Sequence, residues 1–271
     1  MQPLVLVKLG GSLITRKDKP FTERPDTIRR LALEIHEARR ERDFSLIIGH
    51  GGGSYPHPPA STFRTHKGVV DGRSVEGIAK VQDAAARLNR IVVGALVAAG
   101  EHAMTIQPSS CCIADGGRIV EMYVIPIDML LEHDMVPVLY GDVGMDVAQG
   151  CSVLSTEEIF NFLIEHHTDP EARDVRVVNC GRVDGVFTAN PDRDGSAELI
   201  REITPGNIAL HRDGLTGAAG IDVTGGMRQK VDAMLELARS GVVSEIVNAD
   251  HPGVLKRCLV GETGLGTMVR G

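Results

Sequence analysis

The sequence lacks the cysteine patterns of disulfide scaffolds and of structural zinc sites. Five of its 271 residues are cysteines, an odd number, and no two of them stand in a C-x-x-C spacing. Neither a disulfide framework nor a zinc site is therefore indicated. We expect buried thiols in a reducing compartment, which favours the cytoplasm as the location of the protein. The cysteines are Cys111, Cys112, Cys151, Cys180 and Cys258.

Long apolar runs and an excess of positive charge are also missing. The most apolar stretch, residues 91–100, is too short to cross a bilayer. The opening run "PLVLVKLGG" carries a lysine and no cleavage site, so we expect no signal peptide. The net charge of -7 argues against nucleic acid as an electrostatic partner. Any bound anion must therefore be held by local positive groups.

Two common nucleotide-binding motifs are absent. The sequence contains neither G-x-x-x-x-G-K-[ST] nor G-x-G-x-x-G, and the protein-kinase motifs are missing as well. A P-loop enzyme and a Rossmann dehydrogenase both lose support. If the protein handles phosphate, another architecture must do so.

Apolar strand-like runs alternate with amphipathic helical segments along the chain. Apolar residues at helical spacing mark residues 28–35 and 227–238 as helices. This alternation predicts an α/β fold, a three-layer αβα sandwich with a mostly parallel open sheet. The length fits a single domain of residues 1–271, with an N-lobe of about 1–170 and a C-lobe of about 171–271. The predicted strands are Leu4–Leu9, Ser45–Ile48, Met104–Gln107, Val136–Tyr140, Val175–Cys180, Glu245–Asn248 and Thr267–Val269.

Glycine clusters follow the first two predicted strands and open a late helix. They are "KLGGS" (residues 8–12), "GHGGGS" (49–54) and "DVTGGM" (222–227). Ligands in such folds lie beyond the carboxyl ends of the strands, where backbone N–H groups and helix N-termini attract oxyanions. The three loops are therefore predicted to converge on phosphate. The alternative is that the glycines serve tight turns and close packing.

Lysines add the positive charge that these loops lack. Lys8 lies at the end of an otherwise apolar strand, where a charge must find a partner or water. Lys17 follows in the next loop, and Lys230 lies in the first turn of a helix, where a bound anion would offset its unfavourable interaction with the helix dipole. For an isolated lysine, a solvated side chain is the alternative.

Six motifs occur in the order found in the amino acid kinase superfamily. They are "VKLGGSLITRK", "GHGGGSYPHP", "IQPSS", "VPVLYGD", "VDGVFTANP" and "DVTGGMRQK". Together they most resemble the archaeal-type isopentenyl phosphate kinases, and the resemblance covers residues 7–266. It implies transfer of the γ-phosphoryl group of ATP to isopentenyl phosphate, which gives isopentenyl diphosphate for isoprenoid synthesis by an alternative mevalonate route.

The resemblance also implies roles for individual residues. Cations around the transferring phosphoryl group would be Lys8, Lys17 and Lys230; phosphate-lining glycines would be Gly10, Gly11, Gly52 and Gly53; the ATP site would include Asp184, Gly225 and Gly226. His57 would hold the acceptor phosphate, and Asp142 would lie near the reacting centre and orient the lysines. His50 could equally be structural. Magnesium accompanies ATP, without a dedicated protein cage. The relatives are commonly homodimers, formed through N-lobe helices.

The implied chemistry agrees with these residue types. A phosphate monoester has a second pKa of about 6, so the acceptor is already a dianionic nucleophile and needs no strong general base. The reaction instead needs cations and N–H donors that bring two polyanions together. Histidine can donate a hydrogen bond to a phosphate oxygen. An apolar pocket for the isoprenoid chain would lie between the helix of residues 75–97 and "MTIQPSS", although the apolar stripe of that helix also suits an ordinary core.

Three departures from the family pattern bear on the site. Pro56 stands where relatives have glycine, "STEE" (155–158) replaces "SGDD", and Arg182 replaces an acid in "CGRVDGV". Arg182 either contacts the nucleotide or lies on the surface. Two other functions stay open. One is a kinase of the same superfamily with another small acceptor, such as fosfomycin, and the other is a non-catalytic sensor of nucleotides or oxyanions.

Overall fold

The computed structural model describes residues 2–167, 174–191, 194–210 and 227–271. The helices are α1 (Gly11–Ile14), α2 (Pro25–Glu41), α3 (His57–Phe63), α4 (Ser74–Ala99), α5 (Pro108–Cys111), α6 (Ile125–Glu132), α7 (Thr156–His167), α8 (Met227–Arg239) and α9 (Val254–Leu259). The strands are β1 (Leu4–Leu9), β2 (Ser45–His50), β3 (Ala103–Thr105), β4 (Cys112–Asp115), β5 (Arg118–Met122), β6 (Val136–Tyr140), β7 (Asp142–Asp146), β8 (Gly150–Leu154), β9 (Val175–Gly181), β10 (Val186–Phe187), β11 (Leu199–Ile200), β12 (Glu202–Ile203), β13 (Val243–Asn248) and β14 (Thr267–Val269).

The main sheet has eight strands in the order β12-β14-β13-β9-β1-β2-β6-β3. The strands from β13 to β3 in this order run parallel, whereas β14 runs antiparallel to β13. All seven predicted strands lie in this sheet, so the prediction of a mostly parallel open sheet is confirmed. The third strand ends at Thr105, two residues earlier than predicted, because Pro108 opens α5 soon afterwards.

Alternate side chains of the central strands point to opposite layers of helices. Val5 and Val7 pack with α2, α4 and α9 on one face, whereas Leu4 and Leu6 pack with α6 and α7 on the other. The C-terminal end of α8 joins the second layer, and the rest of α8 packs on Ile246 and Val269. Because both faces are covered, the predicted three-layer αβα sandwich is confirmed.

A second sheet, of four strands in the order β5-β4-β7-β8, was not predicted. Its strands are short; β7, "DVGMD", carries a glycine and two aspartates, and β8, "GCSVL", begins with a glycine. Such residues weaken the alternation that marks a strand in sequence. Long-range pairing, rather than local pattern, therefore forms this sheet.

Helix α4 is the long helix that the sequence analysis expected, and its apolar stripe is core. Its residues Val81, Ala85, Leu88 and Val92 are each at most 2% exposed. The helix ends at Gly100, whose positive φ suits a helix C-terminus. No helix of the described part of the chain combines the length and the apolar character that crossing a membrane requires.

Candidate active site

The two glycine loops after β1 and β2 meet at the carboxyl edge of the sheet. The N–H of Gly10 donates to the carbonyl of Cys180 at 2.8 Å, and the N–H of Gly51 donates to that of Leu9 at 2.9 Å. A Cβ atom on Gly11 would overlap the backbone of Gly53, and one on Gly51 would lie 2.8 Å from the Gly11 nitrogen. The loops therefore touch backbone to backbone, and close packing alone already requires glycine here.

A threonine fastens the two loops together. The Thr15 hydroxyl donates to the carbonyl of Gly11 at 2.7 Å and accepts the N–H of Ser54 at 3.0 Å. Gly53 adopts a φ of +54°, which L side chains rarely adopt. The loop after β2 is thus held in one conformation against the loop after β1.

Pro56 fits this loop. A Cβ atom on Gly52 would overlap the ring of Pro56, so the glycine and the proline are sterically matched. Pro56 precedes α3 with φ of -78°, near the value that its ring fixes. Its carbonyl accepts the N–H of Ala60 at 2.9 Å, as in the first turn of a helix. The departure from the family pattern therefore builds the start of α3.

Lys8 forms an ion pair with Glu157, a residue that the sequence analysis did not single out. The Lys8 ammonium donates to the Glu157 carboxylate, and both side chains are largely buried, 12% and 24% exposed. Burial alone would raise the pKa of Glu157, but the charges of Lys8 and Lys230 outweigh it and hold that pKa below its ordinary value. One carboxylate therefore interacts with two of the predicted cations.

The "STEE" stretch builds the start of α7 and so fixes Glu157. The Ser155 hydroxyl accepts the N–H of Glu158 at 3.0 Å, which is an N-cap hydrogen bond. The Thr156 hydroxyl donates to the carbonyl of His50 at 2.8 Å and ties the helix to β2. The neighbouring Glu158 accepts the N–H of Ile119 at 3.2 Å. The sequence feature that could have identified Glu157 is the acidity that "STEE" shares with the "SGDD" of the family pattern.

Asp142, which the sequence analysis expected to orient the lysines, accepts hydrogen bonds from backbone amides of α5 and β7. Its carboxylate accepts the N–H of Ser109 at 3.1 Å and that of Val143 at 2.9 Å, whereas Lys8 pairs with Glu157. Burial raises the pKa of Asp142 to about 6, and the two amide hydrogen bonds offset part of that rise. Asp142 thus holds the first turn of α5 at the edge of the site.

This raised pKa gives a testable pH dependence. Between pH 3.8 and about 6 the folded protein keeps a proton on Asp142, whereas the unfolded chain releases it. The contribution of Asp142 to the free energy of unfolding therefore falls as the pH rises through this interval. We expect Asp142→Asn to gain stability over the wild type from about pH 4 upward. The gain reaches about 3 kcal/mol above pH 7, measured by urea unfolding across pH.

The matched control is Asp128→Asn, because Asp128 lies exposed on α6. Asp128→Asn should bring no gain in stability at pH 7, because the Asp128 carboxylate is solvated and lies in the first turn of α6, where the helix dipole favours a negative charge. A flat difference for Asp142→Asn would mean that Asp142 is not protonated in the folded protein near pH 5.

The two histidines of the second glycine loop differ in environment. His50 is buried and stacks on Tyr140, with ring centroids 5.6 Å apart. Its ring lies 3.1 Å from the carbonyl of Gly51 through Nδ1 and 3.2 Å from the amide of Asn89 through Nε2. Burial lowers the pKa of His50 to about 4, so the ring is neutral and structural. His57 is exposed as the first residue of α3.

The remaining predicted residues that the structure describes lie in loops or in the first turn of a helix. Lys17 is exposed in the loop between α1 and α2, and Lys230 lies half-buried in the first turn of α8. Asp184 follows β9 and accepts the side-chain amide of Asn248 at 2.8 Å. Arg182 pairs with Asp250, at 3.3 Å, and is half-exposed. Gly225 and Gly226 lie outside the described residues, as do residues 168–173, which span the predicted boundary between the N-lobe and the C-lobe.

Comparisons with known proteins identify the family to which the chain belongs. Residues 3–248 match the model of the amino acid kinase family. The chain belongs to that family. It is 38% identical to the isopentenyl phosphate kinase of Methanothermobacter thermautotrophicus, over 99% of both chains. It is 29% identical to that of Methanocaldococcus jannaschii, over 96% of both.

A solved structure of isopentenyl phosphate kinase has the same fold. It superposes with a TM-score of 0.81 at 35% identity, covering 98% of this chain and 99% of the other. The similarity to these kinases thus extends over nearly the whole chain in both sequence and structure.

Proposed function

We propose that this protein is a kinase that transfers the γ-phosphoryl group of ATP to isopentenyl phosphate, giving isopentenyl diphosphate and ADP. The observation that carries this proposal is the ion pair between Lys8 and Glu157, which lies beside the two glycine loops that touch each other. The charge of Lys230 also acts on the Glu157 carboxylate. The full-length similarity to isopentenyl phosphate kinases supports the choice of acceptor.

The lysines supply what this phosphoryl transfer needs. The acceptor is already a dianion at neutral pH, so the main barrier is the repulsion between two polyanions. Lys8 and Lys230 would offset the charge on the transferring group, and Glu157 would hold Lys8 in place. Lys17 would approach from its loop as a third cation. Asp142 would act indirectly, through the turn of α5 that it holds.

The acceptor phosphate would bind to backbone N–H groups and to His57. Gly10, Gly11, Gly52 and Gly53 would line the phosphates with N–H donors. His57, at the start of α3, would donate a hydrogen bond from its ring. The isoprenoid chain would lie beyond it, towards α4 and the "MTIQPSS" segment.

The nucleotide would bind to the C-lobe, residues 171–271, opposite the acceptor in the N-lobe, residues 1–170. Asp184, Gly225 and Gly226 would contribute to its site. In the described part of the chain, His, Cys, Asp and Glu side chains form no group of three that would hold a metal ion. The residues that the structure describes therefore fit a site in which the magnesium ion is held mainly by the phosphates of ATP and by water. When bound, it neutralises charge on those phosphates.

We also propose a homodimer in the cytoplasm. The N-lobe helices would form the interface, which the exposed Val75 and Val97 of α4 support as apolar surface. The described cysteines are unpaired thiols, which fits a reducing compartment.

A coupled assay of ADP release tests the function. We expect the wild type with MgATP to turn over isopentenyl phosphate and dimethylallyl phosphate well above fosfomycin. His57→Ala is expected to lose about 10–100-fold in kcat/KM for isopentenyl phosphate, because a charge-assisted hydrogen bond to phosphate is lost. The matched control, His66→Ala, replaces an exposed histidine of the turn after α3 and should behave as the wild type.

Two results would contradict the proposal. Turnover of fosfomycin alone would identify another acceptor on the same framework. Absence of ATP turnover with every acceptor would favour a non-catalytic sensor.

A further inference from the structure

Two adjacent cysteines bring their thiols together beside the candidate active site. Cys111 is the last residue of α5 and Cys112 the first of β4, and their sulfur atoms lie 3.9 Å apart. Cys111 is partly exposed, whereas Cys112 is buried. The side chains of Cys151, Cys180 and Cys258 are buried. Cys111 is therefore the thiol that a reagent reaches first.

The thiol pair belongs to the segment that Asp142 holds. Ser109, two residues before Cys111, donates its N–H to the Asp142 carboxylate. The charge of Asp142 acts on both thiols, so the carboxylate lies close to them. The carbonyl of Cys111 also accepts the N–H of Tyr123 at 2.8 Å. A group bound to the two sulfur atoms would therefore disturb the contact between α5 and Asp142.

The two thiols differ in reactivity. A hydrogen bond between them lowers the pKa of Cys111 and raises that of Cys112, and burial raises the pKa of Cys112 further. Cys111 is therefore the more easily deprotonated of the two thiols, and the thiolate is the nucleophilic species, so Cys112 is expected to react second.

The geometry favours a bridging soft atom over a disulfide. A disulfide requires the sulfurs to close to about 2.05 Å, within an eight-membered ring that contains a planar peptide bond. A soft centre with bonds of about 2.3 Å to each sulfur instead spans 3 to 4 Å, which matches the observed separation. A cation that needs three or four protein ligands does not fit, since the described residues offer no such group here.

We propose that Cys111 and Cys112 form a dithiol binding site for trivalent organoarsenicals, and that occupation of this site inhibits the enzyme by displacing α5 from Asp142. An organoarsenical brings its own carbon ligand, so two protein sulfurs complete its coordination. With phenylarsine oxide, two S–H bonds break and two As–S bonds form. The oxygen leaves as one water molecule with both protons, and arsenic stays trivalent. The inhibition rests on the proposed function, whereas the binding does not.

Intact-protein mass spectrometry after treatment with phenylarsine oxide tests the binding. We expect one phenylarsenic adduct per wild-type chain, stable to excess monothiol and removed by a dithiol such as dithiothreitol. Cys111→Ser and Cys112→Ser should each lose the stable adduct. Cys151→Ser, which removes a buried thiol elsewhere, should keep it. No stable adduct on the wild type, or its retention in both single variants, would overturn the proposal.

The effect on catalysis is measured separately by ADP release. We expect one equivalent of phenylarsine oxide to lower wild-type turnover at least tenfold, with recovery after addition of dithiothreitol. Cys111→Ser should be unaffected by the reagent. A stable adduct on an enzyme that keeps full turnover would contradict the proposed inhibition but not the proposed binding site. A protein without turnover but with the adduct would contradict only the proposed function.

Discussion

Replacing Lys8 by methionine is expected to lower kcat by about 10²–10³-fold, the usual effect of removing one group that stabilises a transition state. The structure pairs Lys8 directly with Glu157, a largely buried carboxylate of the site. Methionine keeps the length and packing of the side chain but not its charge. The measurement is steady-state ADP release with MgATP and isopentenyl phosphate, together with circular dichroism to establish folding.

A lysine of the neighbouring loop provides the control for Lys8. Lys19 is exposed between α1 and α2, so Lys19→Met should keep wild-type turnover. Because Lys8→Met leaves Glu157 without this partner, the double variant Lys8→Met/Glu157→Gln should recover stability but not activity. Turnover of Lys8→Met within threefold of the wild type would contradict the role proposed for this lysine.

Replacing Gly11 by alanine is expected to cost about 3 kcal/mol in the free energy of unfolding, with loss of most activity. The new Cβ atom would overlap the backbone of Gly53, and backbone on both sides leaves no flexible side chain to move aside. The two glycine loops would have to separate, which moves the proposed phosphate-binding N–H groups. Urea unfolding measures the first effect, and the ADP-release assay measures the second.

Gly94→Ala is the matched control for this substitution. Gly94 lies in α4, where an added Cβ atom meets nothing within 4 Å. The change should raise stability by about 0.5–1 kcal/mol, because alanine loses less backbone entropy than glycine in a helix. If Gly11→Ala were as stable as Gly94→Ala, the close contact between the loops would not exist in the folded protein.

The elements that sequence analysis predicted are those with strong local patterns. The buried strand Leu4–Leu9 and the apolar strands Val136–Tyr140 and Thr267–Val269 have the bounds that their apolar runs predict. The four-stranded sheet was missed because glycine and aspartate interrupt the pattern of β7 and β8. Pairing with distant residues compensates for their weak propensity, and that compensation is not visible in a short window.

The residues of the candidate site also divide into those that a local pattern predicts and those that it does not. Lys8 was predictable because a charge that ends a buried strand needs a partner. Its partner Glu157 lies 149 residues away along the chain, and nothing local links the two. Asp142 is acidic as well, but its carboxylate accepts the N–H of Ser109, a contact that no local sequence pattern reveals.

The sequence by itself determined the αβα fold class, seven of the eight strands of the main sheet and the glycine loops that follow two of them, because periodicity and glycine content act over a few residues. The motif order also pointed to the family. Only the tertiary structure decided which carboxylate meets Lys8, which histidine is buried, and that the sulfur atoms of Cys111 and Cys112 lie 3.9 Å apart. These outcomes depend on contacts between residues that are far apart in sequence or on side-chain direction, and neither leaves a local pattern.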